Sequence, residues 1–183
     1  MKRLFVAVPV SEEVKDKIKS VVDELSKTGA DLKLVSLENL HFTFKFLGNV
    51  EDGKIPEIEN KLQKIAESYA QFEIKVKGVG VFPSLERINV VWIGVEDSSL
   101  AALMKIVNKD LDYVKKNDHE EEIPHLTIAR VKTGRNKEKV QELVKRFENT
   151  EFGKMLVDKL ILYESELTPE GPVYKVVKEF KLT

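Results

Sequence analysis

A four-residue pattern occurs twice in this chain, 84 positions apart: His41-Phe42-Thr43-Phe44 and His125-Leu126-Thr127-Ile128. Side chains alternate faces along a strand, so each tetrapeptide predicts a strand with histidine and threonine on one face and apolar residues on the other. The predicted strands and helices around the two motifs also follow in the same order. Self-similarity at a fixed offset indicates an internal duplication, which limits the chain to folds built from two similar halves.

The hydrophobic pattern divides each half into strands and helices. The first half predicts strands at residues 4–8, 32–35, 41–47 and 72–76, and helices after Ser11 and over residues 56–70. The second half predicts strands at residues 88–95, 125–131, 157–163 and 173–180, and helices from Ser98 to about Lys116 and over residues 136–148. This order predicts an α+β protein with antiparallel strands and helices outside them.

The whole chain is expected to form one domain, residues 1–183, with two similar lobes of roughly 1–87 and 88–183. Segment 81–87 is a loop too short to separate independent domains. Two related strands can face each other across a pseudo-two-fold axis. The sequence therefore predicts a bilobal, duplicated fold in which two antiparallel sheets line a central cleft that holds both motifs.

Composition excludes several classes of site. The chain has no cysteine, so thiolate catalysis, disulfides and cysteine zinc sites are excluded. Its 30 basic residues nearly balance 31 acidic ones, so any nucleic-acid surface must be local. The apolar run after Met1 meets Ser11-Glu12-Glu13 too early for a signal peptide or a membrane span. We expect a cytoplasmic protein.

Two histidines on facing strands suit acid–base catalysis. Unperturbed histidine titrates near pH 6.5, so one imidazole can be neutral while the other is protonated. The third histidine, His119, lies in an acidic run and is interpreted as a surface residue. The motifs lack the spacing of metal ligands, and neither a Gly-x-Ser-x-Gly elbow nor a Walker loop is present. In-line displacement at phosphorus fits the pair best, and no metal or other cofactor is expected.

A cation for the phosphate is available in Arg130, five residues after His125. Strict alternation would put Arg130 on the face opposite to His125, so this role requires a bend or a bulge; an exposed arginine paired with a carboxylate is the alternative. Five aromatic and basic residues could also stack on a base or contact a phosphate at the rim of the cleft, although the two aromatic ones are stronger candidates for the core. They are Phe82, Trp92, Lys45, Arg87 and Arg135.

These motifs, together with the start Arg3-Leu4-Phe5-Val6-Ala7-Val8, resemble the 2H phosphoesterase superfamily, specifically its LigT-like RNA 2′,3′-cyclic phosphodiesterases, also called 2′-5′ RNA ligases. The resemblance implies metal-independent hydrolysis of a 2′,3′-cyclic phosphate at an RNA end to a 2′-phosphate. It also implies that His41 is the proton donor to the departing 3′ oxygen, that His125 is the base that activates water, and that Thr43 and Thr127 bind phosphate oxygens.

The expected partner is RNA with a 2′,3′-cyclic phosphate terminus, tRNA fragments included, and the expected state is a monomer. Two other functions stay open. The same histidines could join RNA ends through a 2′-5′ linkage, which is the reverse displacement, or the chain could be a catalytically inactive binder of RNA ends. The second titrating imidazole favours an enzyme, because a binder does not need it.

Overall fold

The computed structural model describes residues 1–115 and 123–183, so His119 and its acidic run lie outside the described residues. Within them are nine strands: β1 Lys2–Pro9, β2 Leu32–Leu34, β3 His41–Val50, β4 Phe72–Pro83, β5 Ile88–Val95, β6 Leu126–Val131, β7 Glu151–Val157, β8 Lys159–Thr168 and β9 Gly171–Lys181. The four α-helices are α1 Glu12–Ser26, α2 Ile55–Ser68, α3 Ser99–Asp110 and α4 Lys137–Phe147.

The strands form two antiparallel sheets. One sheet has the order β3-β1-β8-β9, and the other has the order β2-β6-β5-β4-β7. Helices α2 and α3 pack on the first sheet, and α1 and α4 pack on the second. The predicted α+β class with two antiparallel sheets is therefore confirmed.

The two sheets do not coincide with the two halves of the sequence. Strand β4 belongs to the first half but lies next to β5, and β8 belongs to the second half but lies next to β1. A loop of four residues, 84–87, joins β4 to β5 and holds the two strands side by side as a hairpin. Three neighbouring strands of one sheet, β3-β1-β8, correspond in order to three of the other, β6-β5-β4. In each set the first two strands come from one half of the sequence and the third comes from the other half.

Local signals explain several element ends. The side chain of Ser11 accepts a hydrogen bond from the backbone of Val14 and caps α1 as predicted. Ser98 occupies the N-cap position of α3, where the sequence predicts that this helix starts, but its side chain makes no capping hydrogen bond; Asp97 Oδ1 accepts the Ser99 N–H at 2.9 Å. Strand β3 also continues past its predicted end: Gly48, with φ of 69°, accommodates an irregularity in the pairing with β1.

Apolar side chains from both sheets and all four helices form the core. Among the described residues that are buried, only Thr28, Lys45 and Asn108 are polar or charged. None of the described helices is both long and apolar enough to span a membrane.

Candidate active site

The first motif occupies the start of β3, an edge strand of its sheet. Phe42 and Phe44 are fully buried, whereas His41 and Thr43 are partly exposed and line a cavity of about 610 Å³. The alternation predicted for this tetrapeptide is therefore present, and the aromatic side chains anchor the strand from behind.

The second motif repeats this arrangement at β6. His125 immediately precedes the strand, Leu126 and Ile128 are fully buried, and His125 and Thr127 line the same cavity as the first motif. Strands β3 and β6 approach each other although they belong to different sheets. The structure thus brings His41, Thr43, His125 and Thr127 together.

A bulge brings Arg130 into the same cavity. Along β6, Trp92 pairs with Thr127 but Val91 pairs with Ala129, so Ile128 has no partner on β5. This extra residue reverses the alternation, and Arg130 returns to the face of His125 and Thr127. The sequence analysis required a bend or a bulge for Arg130 to reach the face of His125, and the structure contains this bulge.

Strand β3 contains a bulge at the corresponding place. Val6 pairs with Lys45 and Ala7 pairs with Thr43, which leaves Phe44 unpaired. Beyond the bulge Lys45 is fully buried, and Phe46, 40% exposed, lines the cavity. The rim role considered for Lys45 is therefore wrong. Phe46 was missed, although it lies five residues after His41, as Arg130 does after His125.

Each histidine is held by a carbonyl two residues before it. His41 Nδ1 lies 2.6 Å from Asn39 O, and His125 Nδ1 lies 2.7 Å from Ile123 O. A carbonyl oxygen only accepts, so both Nδ1 atoms donate, and a neutral ring then carries its lone pair on Nε2. The duplicated motif therefore presents the same nitrogen of both imidazoles for proton transfer.

Aromatic rings surround His41. The Phe5 ring lies 5.0 Å from the imidazole, and Tyr174 meets it edge-on at 5.2 Å. Burial among these groups lowers the pKa of His41 to about 4, the bond to Asn39 opposes this shift, and repulsion by His125 adds to it. In the unliganded site at neutral pH, His41 is therefore neutral.

The rings near His125 differ from those near His41. Phe82 lines the cavity and meets the His125 ring edge-on at 5.0 Å. The half-buried Trp92 ring lies farther from the same imidazole, at 6.5 Å. Arg87 and Arg135 are exposed but are not among the described residues that line this cavity. Of the proposed RNA contacts, Phe82 is thus the one that reaches the site.

Within residues 1–115 and 123–183, no group of three or more His, Asp or Glu side chains is arranged to hold a metal ion. The two motifs and Arg130 contribute two imidazoles, two threonine hydroxyls and one guanidinium to the described lining of the cavity, which also includes the polar residues Lys33, Ser36, Glu38, Asn39, Thr168, Glu170 and Tyr174. This set can move two protons and hold the oxygens of an anion.

The family described as LigT like Phosphoesterase matches residues 8–92 and again residues 93–174. The chain belongs to this family, and the family and enzyme class expected from the resemblance are confirmed.

Individual relatives align with nearly the whole chain. An RNA 2′,3′-cyclic phosphodiesterase of Methanothermobacter thermautotrophicus is 41% identical and aligns over 98% of both chains. A protein of the same name from Methanocaldococcus jannaschii is 37% identical over 97% of this chain and 99% of its own length. Among solved structures, TT0787 of Thermus thermophilus superposes with a TM-score of 0.80 at 26% identity, covering 98% of this chain and 97% of that one.

Proposed function

We propose that this chain is an RNA 2′,3′-cyclic phosphodiesterase that opens the cyclic phosphate at an RNA end to a 2′-phosphomonoester. The main support is the geometry of the duplicated motif, because both histidines, both threonines and Arg130 line one cavity. The full-length relatives that carry this name provide independent support.

In the proposed reaction, His125 takes a proton from water while the water oxygen attacks phosphorus. The bond between phosphorus and the 3′ oxygen breaks, and His41 donates its proton to that oxygen. The products are a 2′-phosphate and a 3′-hydroxyl. Thr43 and Thr127 donate hydrogen bonds to the non-bridging oxygens, and the guanidinium of Arg130 grips two phosphate oxygens as negative charge accumulates.

The proton on His41 is linked to the substrate. Because burial lowers the pKa of this residue in the free site, the proposed acid is mostly unprotonated before the substrate binds. A phosphodiester anion bound next to the ring stabilises the imidazolium and raises its pKa. The substrate thereby favours the protonation state that the leaving oxygen needs, while His125 remains the base.

Phe46 and Arg130 give the cavity two unlike sides, since they hold equivalent positions after the two motifs. We assign Arg130 to the phosphate and Phe46 to the base of the terminal nucleotide, because an exposed aromatic ring stacks on bases without regard to sequence. Phosphate and base on opposite sides fix the direction in which an RNA end enters.

The substrates that fit this proposal are RNA ends with a 2′,3′-cyclic phosphate, including those of tRNA fragments. All five proposed site residues come from one chain, which supports the further proposal that the enzyme acts as a monomer. A cytoplasmic location belongs to the same proposal.

The test is product analysis of an oligoribonucleotide ending in a 2′,3′-cyclic phosphate, with EDTA present. We expect a 2′-phosphomonoester as the product and an unchanged rate after chelation, since the two histidines supply both proton transfers. The matched control is the same oligonucleotide ending in a 3′-phosphate, which should stay intact.

Three results would contradict the proposal. A 3′-phosphate product would mean that the 2′ oxygen leaves. Loss of activity in EDTA that a divalent ion restores would mean that the proton transfers need a metal. Binding of the RNA without turnover would mean that the chain is an RNA-end binder. Joining of a 5′-hydroxyl RNA through a 2′-5′ linkage, in excess of hydrolysis, would identify the reverse reaction as the main one.

A further inference from the structure

A pair of buried polar side chains lies behind the first motif. Lys45 of β3 is completely buried, and Asn108 of α3 is 4% exposed. Burying polar groups is costly unless they are hydrogen-bonded, so their contacts indicate what they stabilise. The proposed reaction uses neither residue.

Asn108 binds the backbone of the bulge in β3. Its Nδ2 donates to the carbonyl of Phe44 at 2.9 Å and to that of Met104 at 2.9 Å, and its Oδ1 accepts from Lys45 Nζ at 3.5 Å. Phe44 is the residue that the bulge leaves without a partner on β1. Because β3 is an edge strand covered by α3, the Phe44 carbonyl needs a donor from that helix.

The second motif solves the same problem with a different donor. Ile128, which lies 84 residues after Phe44, is the unpaired residue of the bulge in β6, and its carbonyl accepts from the backbone N–H of Val35 at 2.9 Å. In this sheet β2 lies outside β6 and leads directly to Val35. In the first sheet, none of the described strands lies outside β3, and a side chain supplies the bond.

We propose that Asn108 is a positioning residue that fixes the bulge at Phe44 and thereby turns Phe46 into the cavity and Lys45 into the core. Without the bulge, regular alternation after Thr43 would exchange the two, with Lys45 facing the cavity and Phe46 facing the core. The effect on activity rests on the proposed function, whereas the effect on the burial of Lys45 does not.

Two variants remove the donor. Asn108→Asp keeps the size and an acceptor for Lys45 but has no N–H to offer Phe44, and Asn108→Ala removes the whole amide. Leu103→Ala is the matched control, because Leu103 is a fully buried residue of the same helix whose loss affects packing alone. All proteins are compared well below their measured Tm, where each is folded.

The first readout is the reactivity of Lys45 with an acetylating reagent, mapped by mass spectrometry. We expect Lys45 to be protected in the parent protein and in Leu103→Ala, and to be acetylated in both Asn108 variants. Protection in all four proteins would overturn the proposal whatever the enzyme acts on. If one Asn108 variant fails to fold, the other carries the comparison.

The second readout is a double-mutant cycle with Phe46→Ala, using an RNA that ends in a cyclic phosphate. Each single change should raise KM about 5- to 150-fold, the range expected for loss of one base–aromatic stack, with a smaller effect on kcat. The double variant should be no worse than Phe46→Ala, because Asn108 acts through Phe46. Independent, multiplying losses would contradict this link and leave the cyclic phosphodiesterase proposal intact.

Discussion

Replacing either motif histidine by alanine is expected to lower kcat for cyclic phosphate opening by about 10²- to 10⁴-fold. Each imidazole performs one of the two proton transfers, and water in its place is a poorly matched acid or base. The fold should survive, because His41 and His125 line the cavity, whereas the buried apolar residues of the two motifs anchor the strands. The measurement is kcat on an RNA ending in a cyclic phosphate, with the Tm of each variant recorded beside it.

The combined variant His41→Ala/His125→Ala should lose much less than the product of the two single losses, because groups that act as a unit are not additive. The matched control is His119→Ala, the third histidine, which should keep the parent kcat. Near-parent kcat in either single motif variant would remove that histidine from the chemistry.

The second large effect is expected at Arg130. Arg130→Ala should lower kcat by about 10²- to 10³-fold, the cost of losing one preorganised donor to a developing oxyanion. Arg130→Lys should recover part of the loss, since an ammonium restores the charge but not the two-point grip of a guanidinium.

Arg135→Ala is the matched control for Arg130, because Arg135 is also exposed but is not among the described residues of the cavity. Its kcat should equal that of the parent. Full activity of Arg130→Ala, or an equal loss in both variants, would mean that Arg130 does not hold the phosphate.

The sequence predicted what depends on local pattern. Apolar periodicity located the main strands and helices, and alternation in the two tetrapeptides correctly separated the buried Phe42 and Phe44 from His41 and Thr43. The duplication also brought both motifs to one cavity, as expected. Whether the two halves form one duplicated domain stays a prediction, and the matching strand orders support it.

The sequence could not predict what depends on partners distant in the chain. At each bulge the carbonyl of the unpaired residue accepts a hydrogen bond from a donor distant in the chain, Asn108 for Phe44 and Val35 for Ile128. Period-two alternation therefore failed just beyond each motif, so that Lys45 was assigned to the surface and Phe46 was overlooked. The sequence also did not predict that β4 and β8 each join the sheet of the other half. The short loop at the midpoint of the chain holds β4 against β5 as a hairpin, although the two strands belong to different halves.

The central claim is that two histidines with opposite roles carry the two proton transfers. In the parent protein, turnover requires a neutral His125 and a protonated His41, so log kcat/KM plotted against pH should be bell-shaped. The two limbs of the bell report pKa values of the coupled pair rather than of either histidine alone. The two alanine variants separate the limbs. Because kcat/KM reports the free enzyme, the lowered pKa of His41 determines the pH at which the limb due to His41 occurs.

The most direct measurement is kcat/KM against pH for the residual activity of His41→Ala and His125→Ala. In His125→Ala we expect no rising limb and a fall as pH increases through the pKa of His41, at or somewhat above about 4 because repulsion by His125 is gone. In His41→Ala we expect only a rise to a plateau. A rise through about pH 4 in His125→Ala would make His41 the base, and an unchanged bell in both variants would show that neither histidine transfers a proton.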